Sequence, residues 1–401
     1  MSTVLFLNGP SHGHVNPTLG LVAELSNRGE KVIYFCTDDF REKIARTGAI
    51  FKSLGDGAKL PKGNPRIDKN KQLFDIALRM LLSTEKVVQH ILEEIKEETI
   101  DYMIYDSMYP VGNIISQILK VPVICSHAVF ARPEELAPQN ENTVGMEVMQ
   151  DHPALGEYRK MVNRLKENYG VEMPQLTGMI THYGDLNIAY TAKEFVTRHE
   201  DYDPSFRFIG GPESVLEEKI DFPFDRLEGK KVVFISLGTA FNNANPNLYD
   251  VFFNAFKEDL ETVVVIAAYN TDVSRFAIPD NFIVRHYVPQ REILKYTDVA
   301  VTHGGLNTTS DLVYQQIPFV VIPIGGDQPY MAGRFASLGA SITLDKDTLT
   351  PEILRQALDL VSTAPEYRVN LGKIKRWFEE AGGCKKAVEE IMAFKKERNI
   401  G

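Results

Sequence analysis

Residues 9 to 20, GPSHGHVNPTLG, put His12 and His14 two positions apart in a stretch rich in Gly and Pro, directly after the apolar run TVLFL. Three readings suit such a pair: two ligands of a metal ion, a general base with a bystander, or imidazoles that merely occupy a turn. A metal site needs further ligands, and Asp106 is the only obvious one to join them, which leaves the set short of what zinc takes. A general base needs less. One imidazole must reach a hydroxyl, and a carboxylate must hold its tautomer and support the imidazolium formed when it takes the proton. A second stretch, THGGLNTTSD at 302 to 311, suits other chemistry: His303, Gly304 and Gly305 precede a helical segment whose first turn holds Asn307 and Thr308. Backbone N–H groups at a helix start, small residues that permit close approach, and hydroxyl and amide donors together suit an anion, a phosphate above all.

Short β-branched runs alternate with amphipathic helical stretches, the pattern of parallel sheets built from βαβ units. The first half supplies TVLFLN, KVIYFC, DYMIYD, VPVICS and DLNIAY; the second restarts with KKVVFISLGT, TVVVIAA, NFIVRH, DVAVTH and PFVVIP. Each half opens with a buried strand running into a Gly-containing turn, which implies one α/β architecture used twice. In the usual doubly wound order, strand one lies beside strand four, and ligands sit outside their carboxyl ends. Counting strands places residues 3 to 8 first and 102 to 106 fourth, with 31 to 36 and 50 to 53 between, so the loops bearing His14 and Asp106 should converge. The same count in the second half sets 232 to 237 beside 298 to 302, so SLGT should face THGGLNTTSD.

At 401 residues the chain exceeds one domain of the usual roughly 100–200 residues. FRFIGGPESVLEEKIDFPFDRLEGKK, with no sustained period, reads as the connector. We expect one domain over 1–215, a second over 216–383, and a helix over 384–401 that packs back on the first through Ala387, Val388, Ile391 and Phe394. Helical spacing also covers 72 to 98. A net charge of -10 argues against nucleic acid or a stable membrane association, both of which draw on dense Lys and Arg. Three distant cysteines, a start without a basic leader and no apolar run of about 18 residues fit a soluble cytoplasmic protein. Eight of the eleven methionines lie between residues 80 and 179, either as loose core or as an adaptable apolar pocket.

The stretch from Tyr287 to Gln328, YVPQREILKYTDVAVTHGGLNTTSDLVYQQIPFVVIPIGGDQ, resembles the donor-binding box of the family-1 UDP-sugar glycosyltransferases. With the GHVNP loop and the Asp of IYDS, the chain looks most similar to the bacterial macrolide and flavonoid members. The resemblance implies the GT-B fold, two Rossmann-like doubly wound domains facing across an interdomain cleft, with 1–215 the acceptor-binding domain and 216–383 the nucleotide-sugar donor-binding domain. Carried over by position, Tyr287 stacks on uracil, the Val288 backbone bonds the base, Gln290 lies near the ribose, and His303 and Gly305 face the pyrophosphate beside Asn307 and Thr308. Ser236, Gly238 and Thr239 complete phosphate binding. Asp311 stands where the family commonly has Glu on the ribose hydroxyls, a shorter reach, and Asp327 and Gln328 match the pair that holds sugar hydroxyls, which favours glucose. His14 matches the catalytic base and Asp106 its partner; His12 matches no role.

The implied enzyme is an inverting, metal-independent UDP-glycosyltransferase, a hexosyltransferase, that uses a UDP-sugar as co-substrate and needs no cofactor. Its partners are that donor and a hydrophobic small-molecule acceptor, held by Met80, Met108, Tyr109, Phe130, Met146, Met179 and Tyr183. Two Asp-x-Asp spacings, Asp201 with Asp203 and Asp345 with Asp347, follow no convincing switch-point strand and read as solvated loop charge. Two alternatives remain open at this level: a non-catalytic nucleotide-sugar sensor, and a GT-B enzyme of other chemistry such as a UDP-sugar epimerase.

Overall fold

The computed structural model of the protein describes residues 1–55, 69–130, 132, 135, 155–172, 181–213, 220–239, 246–269 and 271–401, with the side chains of 69–80 and 246 left aside. The first sheet contains β1 (Thr3–Leu7), β2 (Lys31–Cys36), β3 (Ile50–Ser53), β4 (Tyr102–Asp106), β5 (Val123–His127), β6 (Leu186–Ala189) and β7 (Phe206–Phe208). Their order is β3-β2-β1-β4-β5-β6-β7, every pair parallel. Helices α1 (His12–Asn27), α2 (Arg41–Ala45), α3 (Lys69–Glu94), α4 (Pro110–Leu119) and α5 (Leu155–Tyr169) connect or flank these strands. Sheets covered on both faces need strands that are apolar throughout rather than alternating, and the central strands here have almost no exposed side chain.

The second sheet repeats the plan. Strands β8 (Lys231–Ser236), β9 (Thr262–Ala267), β10 (Phe282–Arg285), β11 (Val299–Thr302), β12 (Phe319–Val321) and β13 (Ile342–Thr343) lie in the order β10-β9-β8-β11-β12-β13, again all parallel. Its helices are α6 (Pro246–Phe256), α7 (Gln290–Leu294), α8 (Leu306–Gln315), α9 (Gln328–Ser337), α10 (Pro351–Thr363) and α11 (Pro365–Glu380), and α12 (Gly383–Glu397) follows them in the chain. Strand one beside strand four thus holds in both sheets: β1 pairs with β4, and β8 with β11. Each sheet has its own apolar core, with Leu5, Phe35, Met103 and Ile114 among the first and Phe234, Phe252, Val320 and Leu354 among residues buried in the second half.

The chain divides into two compact units, but not by a single cut at 215. Unit one is Met1–Tyr190, Tyr202–Ile209 and Cys384–Gly401; unit two is Thr191–Asp201 and Gly210–Gly383. After β6 the chain enters the second unit because Phe195 packs on Phe335 and Phe378, with ring centroids 4.9 and 5.9 Å away. It then returns to add β7, the FRF segment that the sequence assigns to the connector. Three residues are too few to show a period, and what holds β7 is an aromatic cluster in which Tyr202 lies 5.0 Å from Phe206 and 5.3 Å from Phe208. Helix α12 buries Ala387, Val388, Ile391 and Phe394. It is tied into unit one by Lys395 Nζ, which donates to Glu30 Oε1 at 2.6 Å, and by Arg207, which donates to Glu390 at 2.6 Å. Among the described residues no helix is long and apolar enough to cross a membrane.

Candidate active site

Pairing of β1 with β4 sets Leu7 opposite Tyr105, so the chain leaving β1 and the last residue of β4 emerge at one end of the first sheet. There His14 Nδ1 lies 2.6 Å from Asp106 Oδ2. The Asp106 side chain is 2% exposed and that of His14 24%, so the carboxylate is sealed in while the imidazole keeps access to a reactant. Asp106 Oδ1 accepts from the Met108 N–H at 2.8 Å. An ionised carboxylate only accepts, so Nδ1 of His14 carries the hydrogen and Nε2 the lone pair.

Both histidines sit not in a loop but in the first turn of α1, and Pro17 lies inside the same helix at the loss of one backbone hydrogen bond. Ser11 starts the turn: its carbonyl accepts from the N–H groups of His14 and Val15. Residues two apart on a helix project about 200° from each other, so the imidazoles diverge. His12 packs edge-on against Phe40, 4.9 Å between centroids, while His14 meets Asp106. Among the described residues no group of three or more His, Cys, Asp or Glu could hold a metal ion.

Beneath this turn lies a polar network with no motif to announce it. Asn8 Nδ2 donates to the His14 carbonyl and to the Tyr34 hydroxyl, both at 2.9 Å, and that hydroxyl meets Thr18 Oγ1 at 2.8 Å. Asn8, Thr18 and Tyr34 have no exposed surface. Burial drives the Tyr34 hydroxyl well above its ordinary pKa, so it stays protonated. Two further histidines stand at the same end of the sheet. His127 closes β5, donates from Nε2 to Asn187 Oδ1 at 3.0 Å, and is pushed down to about 4 by burial. His182, whose N–H bonds the Ser107 carbonyl, is also pushed down by burial, with the Asp106 charge opposing. The His182 Nε2 and the Ser107 Oγ are buried and make no hydrogen bond among the described residues.

In the second unit β8 and β11 end together, Ser236 opposite Thr302. Gly305 caps α8, whose first N–H groups have no acceptor within the helix. His303 lies between the two turns: a Cβ at Gly238 or at Gly305 would fall 2.4 or 2.3 Å from its Nε2, and Gly238 has φ +79°. Only glycine fits at either place. The His303 Nδ1 faces the Ser236 carbonyl at 3.3 Å, and burial pushes this imidazole down to about 4. Asn307 and Thr308 occupy the first turn of α8, and Thr239 follows Gly238, half-buried.

Tyr287 and the buried Val288 follow β10, and Gln290 opens α7. Gln290 Nε2 donates to Asp311 Oδ2 at 2.6 Å, and Thr308 Oγ1 donates to Gln290 Oε1 at 3.2 Å. The short Asp311 carboxylate thus orients the Gln290 amide across from α8. Asp327 caps α9. Gln328 is buried and its Oε1 accepts from the N–H groups of Ile324 and Gly325, which leaves its Nε2 as the end of the amide not used among the described residues.

Of the seven residues expected to hold an acceptor, Met108, Tyr109, Phe130 and Tyr183 have described side chains. Tyr109 and Phe130 are buried, Tyr109 in the first core, and Met103 and Met161 are core as well. Met108 is half-buried just after Asp106. Tyr183 is 55% exposed and lies against His127 and Phe206. Met146 and Met179 lie outside the described residues, as does the side chain of Met80. Both Asp-x-Asp spacings form local turns: Asp203 Oδ1 accepts from the Ser205 N–H and Asp345 Oδ1 from the Asp347 N–H.

Comparison with known proteins adds to this geometry. Residues 251–381 match the family described as Erythromycin biosynthesis protein CIII-like, C-terminal domain. An uncharacterised UDP-glucosyltransferase of Bacillus subtilis, YojK, is 32% identical over 99% of this chain and 98% of its own. The NDP-glycosyltransferase YjiC of the same organism is 30% identical over the same shares. The oleandomycin glycosyltransferase of Streptomyces antibioticus is 25% identical over 96% of this chain and 88% of its own. Among solved structures, the glycotransferase of kitacinnamycin superposes with a TM-score of 0.78 at 23% identity, covering 100% of this chain and 99% of its own, a likeness of GT-B fold.

Proposed function

Because this chain belongs to the family-1 GT-B glycosyltransferases and is an enzyme of that class, we propose a specific reaction for it. It moves a sugar, glucose first, from a UDP-sugar to hydroxyl groups of hydrophobic small molecules such as flavonoids, other phenolics and macrolides, with inversion and without a metal ion. The observation that carries the reading is the 2.6 Å contact between His14 Nδ1 and the buried Asp106 carboxylate. His14 Nε2 takes the proton of the acceptor hydroxyl. That oxygen bonds to the anomeric carbon as the bond from this carbon to the β-phosphate oxygen breaks, and UDP leaves with the electron pair. Attack and departure on opposite faces invert the configuration. Asp106 supports the imidazolium, and a positioned base of this kind is worth on the order of a hundredfold to ten-thousandfold in rate.

On the second unit, the α8 N-terminus, Ser236, Gly238, Thr239, His303, Gly305, Asn307 and Thr308 receive the diphosphate, whose growing charge fixed dipoles stabilise without reorganising. Tyr287 and Val288 take the uracil, Gln290 with Asp311 the ribose, and Asp327 with Gln328 Nε2 the sugar. The relative named as a UDP-glucosyltransferase supports the donor, and the one named for oleandomycin supports macrolides among the acceptors. Free thiols at Cys36 and Cys125 suit a reducing cytoplasm.

The test is incubation with several nucleotide sugars and a panel of phenols, flavonoids and macrolides, read by mass spectrometry with and without a chelator. Glycosides from UDP-glucose in both conditions are expected. No glycoside from any pair would refute the reaction, loss of product on chelation would refute metal independence, and an epimerised donor formed without acceptor would favour other chemistry.

A further inference from the structure

The protonation of His303 can be read from its surroundings, with a consequence for nucleotide binding that rests on the reaction proposed above. Its Nδ1 lies 3.3 Å from the Ser236 carbonyl, and a carbonyl oxygen only accepts. In a neutral imidazole the hydrogen therefore sits on Nδ1 and the lone pair on Nε2. That Nε2 makes no hydrogen bond among the described residues and lies within 2.4 Å of where a Cβ would stand at Gly238 and at Gly305, the two turns that flank the α8 N-terminus. Among the described residues the groups placed against the ring are backbone: the Ser236 carbonyl at the end of β8, Gly238 beyond it, and Gly305 at the head of α8. None of these adds a charge. Burial pushes the imidazole from its ordinary 6.5 to about 4, so it is neutral in the empty protein near neutral pH.

A phosphate oxygen is also an acceptor, and it would meet the Nε2 lone pair. Two outcomes relieve that clash. The hydrogen could move from Nδ1 to Nε2, but this sets a bare Nδ1 against the Ser236 carbonyl oxygen and loses that bond. Or a proton could come from solvent to Nε2 and leave both nitrogens as donors, one to Ser236 and one to phosphate. We propose that a nucleoside diphosphate enters this cradle with uptake of one proton, which His303 Nε2 takes from the buffer and donates as a charged hydrogen bond to a phosphate oxygen. His303 then carries a positive charge before the sugar–phosphate bond breaks, and it stabilises the extra negative charge that UDP acquires on leaving.

Titration calorimetry of UDP into the whole protein tests this at about pH 7.5, where free UDP and free histidine are both largely deprotonated. The dependence of the observed heat on the ionisation enthalpy of the buffer, HEPES against Tris, counts protons. The expected result is uptake of about 0.5–1 proton by the wild type and none by His303→Gln, with the wild-type Kd weakening up to about tenfold per pH unit from 7 to 8.5. UDP binding with no uptake, equal uptake by wild type and variant, or a flat wild-type profile overturns the proposal. The wild-type profile decides should the variant not fold. A wild type that binds no UDP at all overturns the glycosyltransfer reading of this cradle, and the proposal with it.

Discussion

Replacing Asp106 with Asn tests whether the carboxylate beside His14 acts in the reaction or only in the fold. The side chain is 2% exposed and its Oδ2 lies 2.6 Å from Nδ1, so the substitution keeps size while removing one charge and one of the two acceptors that His14 and the Met108 N–H use. The centres of an imidazolium and a carboxylate in contact are about 4 Å apart, and at an effective dielectric of about 20 their attraction is about 4 kcal/mol. At about 1.36 kcal/mol per tenfold, the lost stabilisation of the protonated His14 amounts to about three powers of ten in kcat. The assay is UDP release with saturating donor and a phenolic acceptor, alongside UDP binding by calorimetry, which should not move because Asp106 belongs to the first unit and the diphosphate cradle to the second. A His14→Ala, Asp106→Asn double variant should be no slower than His14→Ala, since Asp106 acts through the imidazole. An Asp106→Asn protein that is folded and within about tenfold of wild-type turnover would refute the reasoning.

Three further outcomes follow from buried polar groups. Lys395→Met removes the ammonium that contacts Glu30 and leaves a buried carboxylate without its countercharge, held among the described residues by the Tyr102 hydroxyl alone, so the first unit should lose on the order of 3 kcal/mol; an unchanged thermal midpoint would contradict this. Tyr34→Phe deletes the hydroxyl that Asn8 and Thr18 both meet, which should cost about 1–3 kcal/mol in urea denaturation and lower kcat through a less firmly held His14; equal stability would show the network to be idle. His127 is held at about 4 against an ordinary 6.5, so the unfolded chain binds the proton more readily than the folded one. Its contribution is complete above about pH 6.5 and is lost as pH falls toward 4, at up to about 1.4 kcal/mol per pH unit. His127→Gln should flatten the acid limb of stability against pH by about one proton, and an unchanged slope would count against the assignment.

The parts of the site that were legible in the sequence share one cause. In a parallel βαβ sheet, chain order maps onto spatial order by a fixed rule, so counting strands was enough to bring His14 to Asp106 and Ser236 to His303 across 92 and 67 residues. Nothing comparable governs the polar network under His14. Tyr34 stands in KVIYFC as one more apolar strand residue, and only the register of β2 against β1 shows its hydroxyl beneath the turn. Strand β7 was hidden for a related reason, since it is held through side chains, Phe206 against Tyr202 and Arg207 to Glu390, in a segment with no period. The methionines could not be divided by sequence, because a flexible apolar side chain serves a core and a pocket equally well; Met103 and Met161 fill the core. The two histidines of GPSHGHVNPTLG show where the rule stops. Strand order favours the second over the first, but only the start of α1 at His12 explains why they cannot share a role, since two steps along a helix turn one imidazole toward Phe40 and the other toward Asp106. With Ser11 at the head of α1, its carbonyl accepting from the His14 and Val15 N–H groups, the helix fixes this divergence, and of the two imidazoles only His14 is placed to have its tautomer set by the buried carboxylate.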